Sequence, residues 1–332
     1  MDRIAVVGAG SWGTTVAALA ARSTPTLLWA RRPELAEEIN QTRENRTYLP
    51  GLPLPDGLTT TADLDAVVDS CSALVMAVPS HGFREIYSRI AERLNDEVPV
   101  LSLTKGIEQD TLATMTQIIM EASPAKDRSL IGVMTGPNLA TEVAAGQPTA
   151  SVIAMADQRT ARLLQDVFMG PTFRVYTHDD VVGCELGGAL KNVMAIAAGM
   201  SDGLGFGDNT RATLITRALA ELTRLGVTLG GRSATFAGLA GMGDLIATCI
   251  STASRNHQVG FGLASGKTLT EVVTEMRMVA EGVKTTQAVL DLATRSGIEM
   301  PIASHVGYVL YEGLDPKEAV LRLMTREAKQ ED

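Results

Sequence analysis

The chain has 332 residues, about the length of two domains, with 45% apolar residues, 20% charged residues and a formal charge of −9. That balance excludes nucleic acid and anionic membrane as general partners, so an anionic ligand has to be held by a local basic cluster. Cys71, Cys184 and Cys249 stand far apart with no CxxC pair, and the four histidines show no ligand spacing; this excludes a disulfide framework and a zinc site and suits a reducing compartment.

The first apolar run, RIAVVG, leads directly into GAGSWG at 8–13. A GxGxxG pattern between a strand and a helix is a dinucleotide signature: Gly8 permits the turn, Gly10 admits a pyrophosphate and Gly13 lets helix pack on strand. The bland alternative is three glycines serving only a tight turn. The surrounding uncharged run, 4–21, mimics a signal peptide, but three glycines interrupt it and Asp2 offsets Arg3. Neither a leader nor a spanning helix is expected, and the protein reads as cytoplasmic.

The second strand, TLLWA, is followed by Arg31 and Arg32 where a ribose-binding Asp or Glu would favour NAD. Two guanidinium groups suit the 2′-phosphate of NADP. The alternative is a solvated pair opening the helix PELAEEINQ. The expected cofactor is therefore NADP or NAD, with NADP favoured and no metal. The segment YLPGLPLPDG, 48–57, reads as a proline-rich loop.

Further apolar runs follow: ALVMAVP, VPVLSLT, LIGVMTG, ASVIAMA and FRVYT, with helical patterns HGFREIYSRIAERL and TLATMTQIIMEA between them. Continuous apolar strands alternating with helices predict a parallel, doubly wound sheet of Rossmann type over 1–177. Ligands of such sheets bind at the carboxyl ends of the strands, where VPSH, TKG with Lys105, and TGPNLATE stand. A lysine there can equally be solvated.

After His178 the strands stop. Helices are expected over 180–200, 209–225, 233–249, 255–265, 269–279, 281–296, 301–312 and 315–328, making 178–332 an all-helical domain with the ligand cleft between the two. In GCELGGALKNVMAIAAGM only Glu185 and Lys191 are charged. Lys191 either snorkels to solvent from a core helix or meets charge on a ligand that the neighbouring small residues leave room for. Asp244 in GMGDLIATC is either a helix cap or a partner for such a lysine. Ser254, Arg255 and Asn256 are either an N-cap with a solvated arginine or an anion site. Glu281 stands in a first helical turn, where the dipole alone would explain it.

Taken together, GAGSWGT, VPSH, TKG, GP.LA.EV..G.P, LGGALKNV.AI.AGM.DGLGFG.N, AG.GDL..TC, SRN...G and EG..T resemble the bacterial-type NAD(P)-dependent glycerol-3-phosphate dehydrogenase family, over nearly the whole chain. The resemblance implies that Ser11, Trp12, Arg31, Arg32 and Ala140 line the cofactor, and that Lys105 and Gly136 touch substrate, Lys105 the cofactor too. It implies that Lys191 is the catalytic lysine, with Asp244, Ser254, Arg255 and Asn256 completing the substrate pocket. Arg255, Val279 and Glu281 would meet the cofactor. Asn138, a further cofactor contact, stands where the family more often has Ser or Thr, and MVAEG replaces the commoner VVEG. The expected reaction is reversible reduction of dihydroxyacetone phosphate to sn-glycerol 3-phosphate. Lys191 would act as acid, Lys105 would add positive charge, Asp244 would orient Lys191, and Thr248 would offer a hydroxyl. A homodimer and a role in supplying phospholipid synthesis are implied as well. Two other readings compete: a related dehydrogenase acting on a β-hydroxy acid, and a nucleotide-sensing regulator that has lost the chemistry.

Overall fold

The computed structural model describes residues 1–69, 71–276, 280–327 and 330. The first half builds one eight-stranded sheet from β1 (Ile4–Val7), β2 (Thr26–Trp29), β3 (Leu58–Thr61), β4 (Ala73–Met76), β5 (Val100–Ser102), β6 (Ile131–Thr135), β7 (Thr149–Met155) and β8 (Phe173–His178), in the order β3-β2-β1-β4-β5-β6-β7-β8. Helices α1 (Ser11–Ala20), α2 (Pro33–Thr42), α3 (Leu64–Val68), α4 (Ser80–Ala91), α5 (Met115–Ala122), α6 (Ala140–Ala144) and α7 (Gln158–Phe168) connect the strands. Two apolar clusters, one around Val6, Val75 and Ile153 and one around Val7, Leu74 and Phe83, cover its opposite faces. This is the doubly wound arrangement that continuous apolar strands require.

Three features depart from the sequence-based expectation. The sheet is not wholly parallel: β6 and β7 pair antiparallel. Their connection carries only the five-residue α6 and turns back at the same sheet end, so it makes no crossover. The strand β3 reads LTTT and lacks the apolar run that marked the others. And α5 starts only at Met115, because Leu112 takes a φ of 61° and Thr114 forms a capping box with Gln117.

Beyond His178 every further element among the described residues is helical: α8 (Val181–Gly203), α9 (Asp208–Thr228), α10 (Ser233–Phe236), α11 (Asp244–Ile250), α12 (Arg255–Ala264), α13 (Leu269–Glu275), α14 (Glu281–Arg295), α15 (Pro301–Glu312) and α16 (Pro316–Met324). The single helix expected over 233–249 is broken. Gly238 is extended, a π-helical turn spans Leu239–Gly243, and α11 begins at Asp244. The break has a packing cause: a side chain on Gly241 would strike the Phe236 backbone, and one on Gly187 of α8 would strike the Ala240 carbonyl. The helices expected over 269–279 and 315–328 end at Glu275 and Met324, with 277–279 and 328 outside the described residues. Helix α8 is long and apolar enough to cross a membrane, but 89% of that window is buried in the protein, where it is the centre of the helical core.

Candidate active site

Lys191 does not snorkel. It is 5% exposed, and its Nζ lies 2.9 Å from Asp244 Oδ1, the carboxylate itself being 2% exposed. The other oxygen, Oδ2, lies 2.6 Å from Lys105 Nζ, which also donates to the Gly136 carbonyl at 3.0 Å. One buried carboxylate thus holds two ammonium groups, one from the sheet half and one from the helical half, and a net positive charge remains. Thr248, one turn along α11, accepts a hydrogen bond from Lys191 Nζ and donates to the Asp244 carbonyl at 2.6 Å. Because its own proton is committed to that carbonyl, the hydroxyl faces Lys191 only as an acceptor. Burial pushes the Lys105 ammonium down to about 8, with Asp244 opposing that and Lys191 adding to it.

The small residues around Lys191 do not make room for a ligand. A Cβ on Gly188 would lie 2.8 Å from Thr135 Oγ1 and 3.4 Å from the Lys105 stem, and Gly187 meets Ala240. The stripe lets α8 press against the sheet end and α11, and this close approach is what brings Lys191, Asp244 and Lys105 together.

The turn after β1 has the features a dinucleotide needs. Gly8 takes a φ of 120° against the Ala77 carbonyl, and Gly13 lies where any side chain would strike Gly8. Gly10, by contrast, faces open space, with nothing within 4 Å of where its Cβ would be. The amino end of α1 carries no side-chain cap and no acidic residue in its first turn. Its N–H groups and dipole therefore remain available to an anion. Two buried polar atoms here have no hydrogen-bond partner among the described residues: Trp12 Nε1, beside Phe173, and Asn138 Oδ1, whose amide nitrogen donates to Ser151 at 3.1 Å. Ser11 turns its hydroxyl onto the Tyr48 carbonyl at 2.7 Å, and Ala140 opens α6 with its carbonyl accepting from Thr15. Arg31 and Arg32 are exposed beyond β2 and make no ion pair with any described residue. An open glycine, an uncapped helix end and free guanidinium groups fit a phosphorylated dinucleotide.

Ser254 caps α12, accepting from His257 N at 3.4 Å, as the bland reading had it. Asn256 is drawn inward rather than left facing a ligand with its whole amide. It donates to Asn192 Oδ1 at 3.0 Å and accepts from Gly282 N at 2.9 Å, keeping one N–H hydrogen. Asn192 in turn donates to the Lys105 carbonyl at 3.2 Å, so the SRN segment is braced against the lysine cluster. Arg255 stays exposed at the cleft; the surrounding protein lowers its pKa and the charge of Glu281 raises it. Glu281 does more than sit on a dipole: it accepts from Ser80 N at 3.2 Å and Ser80 Oγ at 2.5 Å, fastening α14 to the start of α4. Val279 lies outside the described residues.

Sequence reasoning left Asn192, Ser80 and Glu185 without a role. Glu185 accepts from Thr116 N at 2.9 Å and so caps α5 from the other half of the chain. Its being one of two charges in an uncharged stretch was the available signal. Among the described residues no group of three or more His, Cys, Asp or Glu side chains could hold a metal.

With this geometry in view, comparison with known proteins gives one consistent result. The family models described as the NAD-dependent glycerol-3-phosphate dehydrogenase N-terminus and C-terminus match residues 3–161 and 180–321. A glycerol-3-phosphate dehydrogenase (NAD(P)+) of Geobacter sp. strain M21 is 50% identical over 331 residues, 99% of each chain. One from Sphingopyxis alaskensis is 54% identical over 304 residues, 92% of this chain and 90% of its own. The solved glycerol-3-phosphate dehydrogenase of Coxiella burnetii superposes with a TM-score of 0.93 at 37% identity, covering 98% of this chain and 99% of that one. A ketopantoate reductase of Ralstonia eutropha, at 15% identity and a TM-score of 0.58, shares the fold alone.

Proposed function

The chain belongs to the NAD-dependent glycerol-3-phosphate dehydrogenase family, an oxidoreductase that reduces dihydroxyacetone phosphate to sn-glycerol 3-phosphate with NAD(P)H, and we propose that Lys191 is the group that protonates the substrate oxygen. The observation that carries this is the single buried carboxylate of Asp244 gripping both Lys191 and Lys105. A nicotinamide held at the glycine turn would supply the hydride chemistry. Reduction builds negative charge on the ketone oxygen, and Lys191 meets it with a proton held at Nζ and a fixed positive field. Asp244 and Thr248 hold that ammonium in position, Lys105 binds the substrate beside Gly136, and in the reverse direction Lys191 takes the proton back.

The same proposal assigns the dinucleotide to 1–177 and substrate capture to 178–332. Gly8, Gly10 and Gly13 with Ser11 and Trp12 cradle the pyrophosphate; Asn138, Ala140 and Glu281 meet the nicotinamide end. Arg31 and Arg32, exposed and unpaired, favour the 2′-phosphate and hence NADP. The protein works in the cytoplasm, supplies the glycerol phosphate of phospholipids and forms a homodimer. The exposed stripe of Met242, Ile246 and Ile250, at helical spacing, supports the last point as a face to be covered. Light scattering tests it, with a monomer mass at micromolar concentration counting against it.

The substrate's phosphate falls to Arg255, with the N–H groups and Ser254 at the start of α12. Arg255→Ala should lose most of its efficiency toward dihydroxyacetone phosphate, since removing one partner of a desolvated charge pair costs about 2–5 kcal/mol. Plain dihydroxyacetone, which lacks the phosphate, should lose far less. Equal proportional losses on both ketones would show that Arg255 serves the cofactor or the fold instead.

A further inference from the structure

Helix α12 meets α8 through glycine. A Cβ on Gly199 or Gly203 of α8 would strike the His257 or Phe261 carbonyl, and one on Gly260 of α12 would strike the Ile196 carbonyl. The two helices therefore touch backbone to backbone. Such contact draws helices close but offers few side-chain ridges to stop one sliding along the other. A directional bond between them fixes the register.

His257 makes that bond. It stands in the first turn of α12, directly after Ser254, Arg255 and Asn256, and is 1% exposed. Its Nε2 lies 2.8 Å from Asp202 Oδ2 in the last turn of α8. A carboxylate can only accept, so the ring donates. The other ring nitrogen, Nδ1, is buried with no hydrogen-bond partner among the described residues, so Asp202 alone gives the ring its direction. Arg211 of α9 holds the second carboxylate oxygen at 2.9 Å. Burial raises the Asp202 carboxyl, but His257 and Arg211 bring it below its ordinary range, which keeps the acceptor ionised. Lys191 lies about three turns back along the same α8. One helix thus carries the proton donor and, through Asp202 and His257, the start of α12.

We propose that His257 is a positioning residue for the reduction: with Asp202 it sets the reach from Lys191 to the start of α12, so that the substrate's ketone oxygen and phosphate are met at once. This rests on the assignment of the phosphate to Arg255. Steady-state kinetics on the full chain, at saturating NADPH, compare dihydroxyacetone phosphate with plain dihydroxyacetone, and use inorganic phosphate as a competitive inhibitor. His257→Leu keeps much of the ring's bulk and removes the bond. Its kcat on dihydroxyacetone phosphate should fall about tenfold, within the loss that a misplacement near 1 Å can cause. Its efficiency on dihydroxyacetone and its inhibition by inorganic phosphate should stay within about twofold of the parent, because neither ligand spans the two anchors. His257→Gln, whose amide can donate to Asp202, should recover most of the loss. Asp202→Ala should match His257→Leu, and the double variant should lose no more than either, as expected of residues acting as a unit. The Asp202 side chain is 17% exposed, so this variant decides the matter if the leucine variant does not fold. The proposal is overturned if the folded variants keep the parental kcat on dihydroxyacetone phosphate, if both ketones lose in equal proportion, or if glutamine restores nothing. Arg255→Ala tells the two failures apart. If inorganic phosphate inhibits it as it does the parent, the phosphate assignment has failed; if that inhibition is lost while His257→Leu keeps the parental kcat, only the register role has.

Discussion

Glycine is concentrated in two regions of this molecule, the turn after β1 and the helices α8 and α12, and Gly10 of the turn, unlike its packed neighbours Gly8 and Gly13, serves in the opposite way to the helical glycines. At the turn, the place where a Cβ of Gly10 would stand is empty. In the helices it is full: Gly199 meets the His257 carbonyl, Gly260 meets the Ile196 carbonyl, and Gly188 meets Thr135 and Lys105. The turn keeps space for something outside the protein, whereas the helices give it up so that α8 and α12 touch backbone to backbone. The difference teaches that a glycine-rich stretch beside a lysine is not in itself a ligand site. What counts is what occupies the missing side chain's volume. In α8 the close packing has a chemical product, because it delivers Lys191 to a carboxylate that also holds Lys105.

The sharpest way to test that contrast is to remove the one chemical group from the packed region. Lys191→Met keeps the stem that fills the space beside α11 and deletes the charge, and Asp244 keeps Lys105 as its partner. Turnover should fall on the order of 10²–10³-fold, the usual loss for one preorganised stabiliser of developing charge. The thermal transition should move little. Near wild-type turnover in the purified variant would remove Lys191 from the mechanism.

A smaller effect is expected from the packed glycines themselves. Gly260→Ala drives a methyl into the Ile196 carbonyl, which is backbone and cannot swing aside. Overpacking of this kind costs about 1–3 kcal/mol, or a fall of roughly 2–10 °C in melting temperature, with the surviving folded enzyme retaining its cofactor affinity. Gly10→Ala should do the reverse. Gly10 has a φ of −75°, ordinary for alanine, and free space beside it. Stability should change by no more than about 1 kcal/mol, while the KM for the dinucleotide rises roughly tenfold as the methyl meets the pyrophosphate. If Gly10→Ala melts early, or Gly260→Ala loses cofactor affinity without losing stability, the assignment of the two regions is reversed.

Much of this was readable from residues alone, and the parts that were not share a cause. Local signals placed β1, its glycine turn and α1, and apolar runs placed seven strands. The strand β3 escaped because three threonines carry no apolar run, and the reversed β7 escaped because strand direction depends on where a connection ends. The break at 237–243 is imposed from outside, by Gly187 and Phe236 against that segment, so no periodicity within it could show it. At the site, residue types and resemblance brought forward Lys105, Lys191 and Asp244. The pairing of Lys105 with Asp244 spans 139 positions, and the Ser80–Glu281 fastening spans 201. Such contacts exist only once the two halves are packed, which is why Ser80, Asn192 and Glu185 had no reading of their own.

The smallest expected effect concerns the half of the lysine cluster that comes from the sheet. Lys105 has its pKa pushed down to about 8 from 10.5, first by burial, with Asp244 opposing and Lys191 adding. Above pH 8 it gives up its proton, and the substrate loses one positive partner while its own phosphate, already a dianion, does not change. The KM for dihydroxyacetone phosphate should therefore climb a few-fold between about pH 8 and 9.5, with a smaller change in kcat. Stability should move the other way. Between about pH 8 and 10.5 the folded chain binds fewer protons at this site than the unfolded chain does, so this group's contribution to stability rises with pH across that window. Lys105→Arg keeps the charge to far higher pH and should flatten the KM profile. A wild-type KM that stays level from pH 7.5 to 9.5, or an arginine variant with the same climb, would mean that the substrate does not depend on the Lys105 charge, and that the open side of this cluster is served by Lys191 alone.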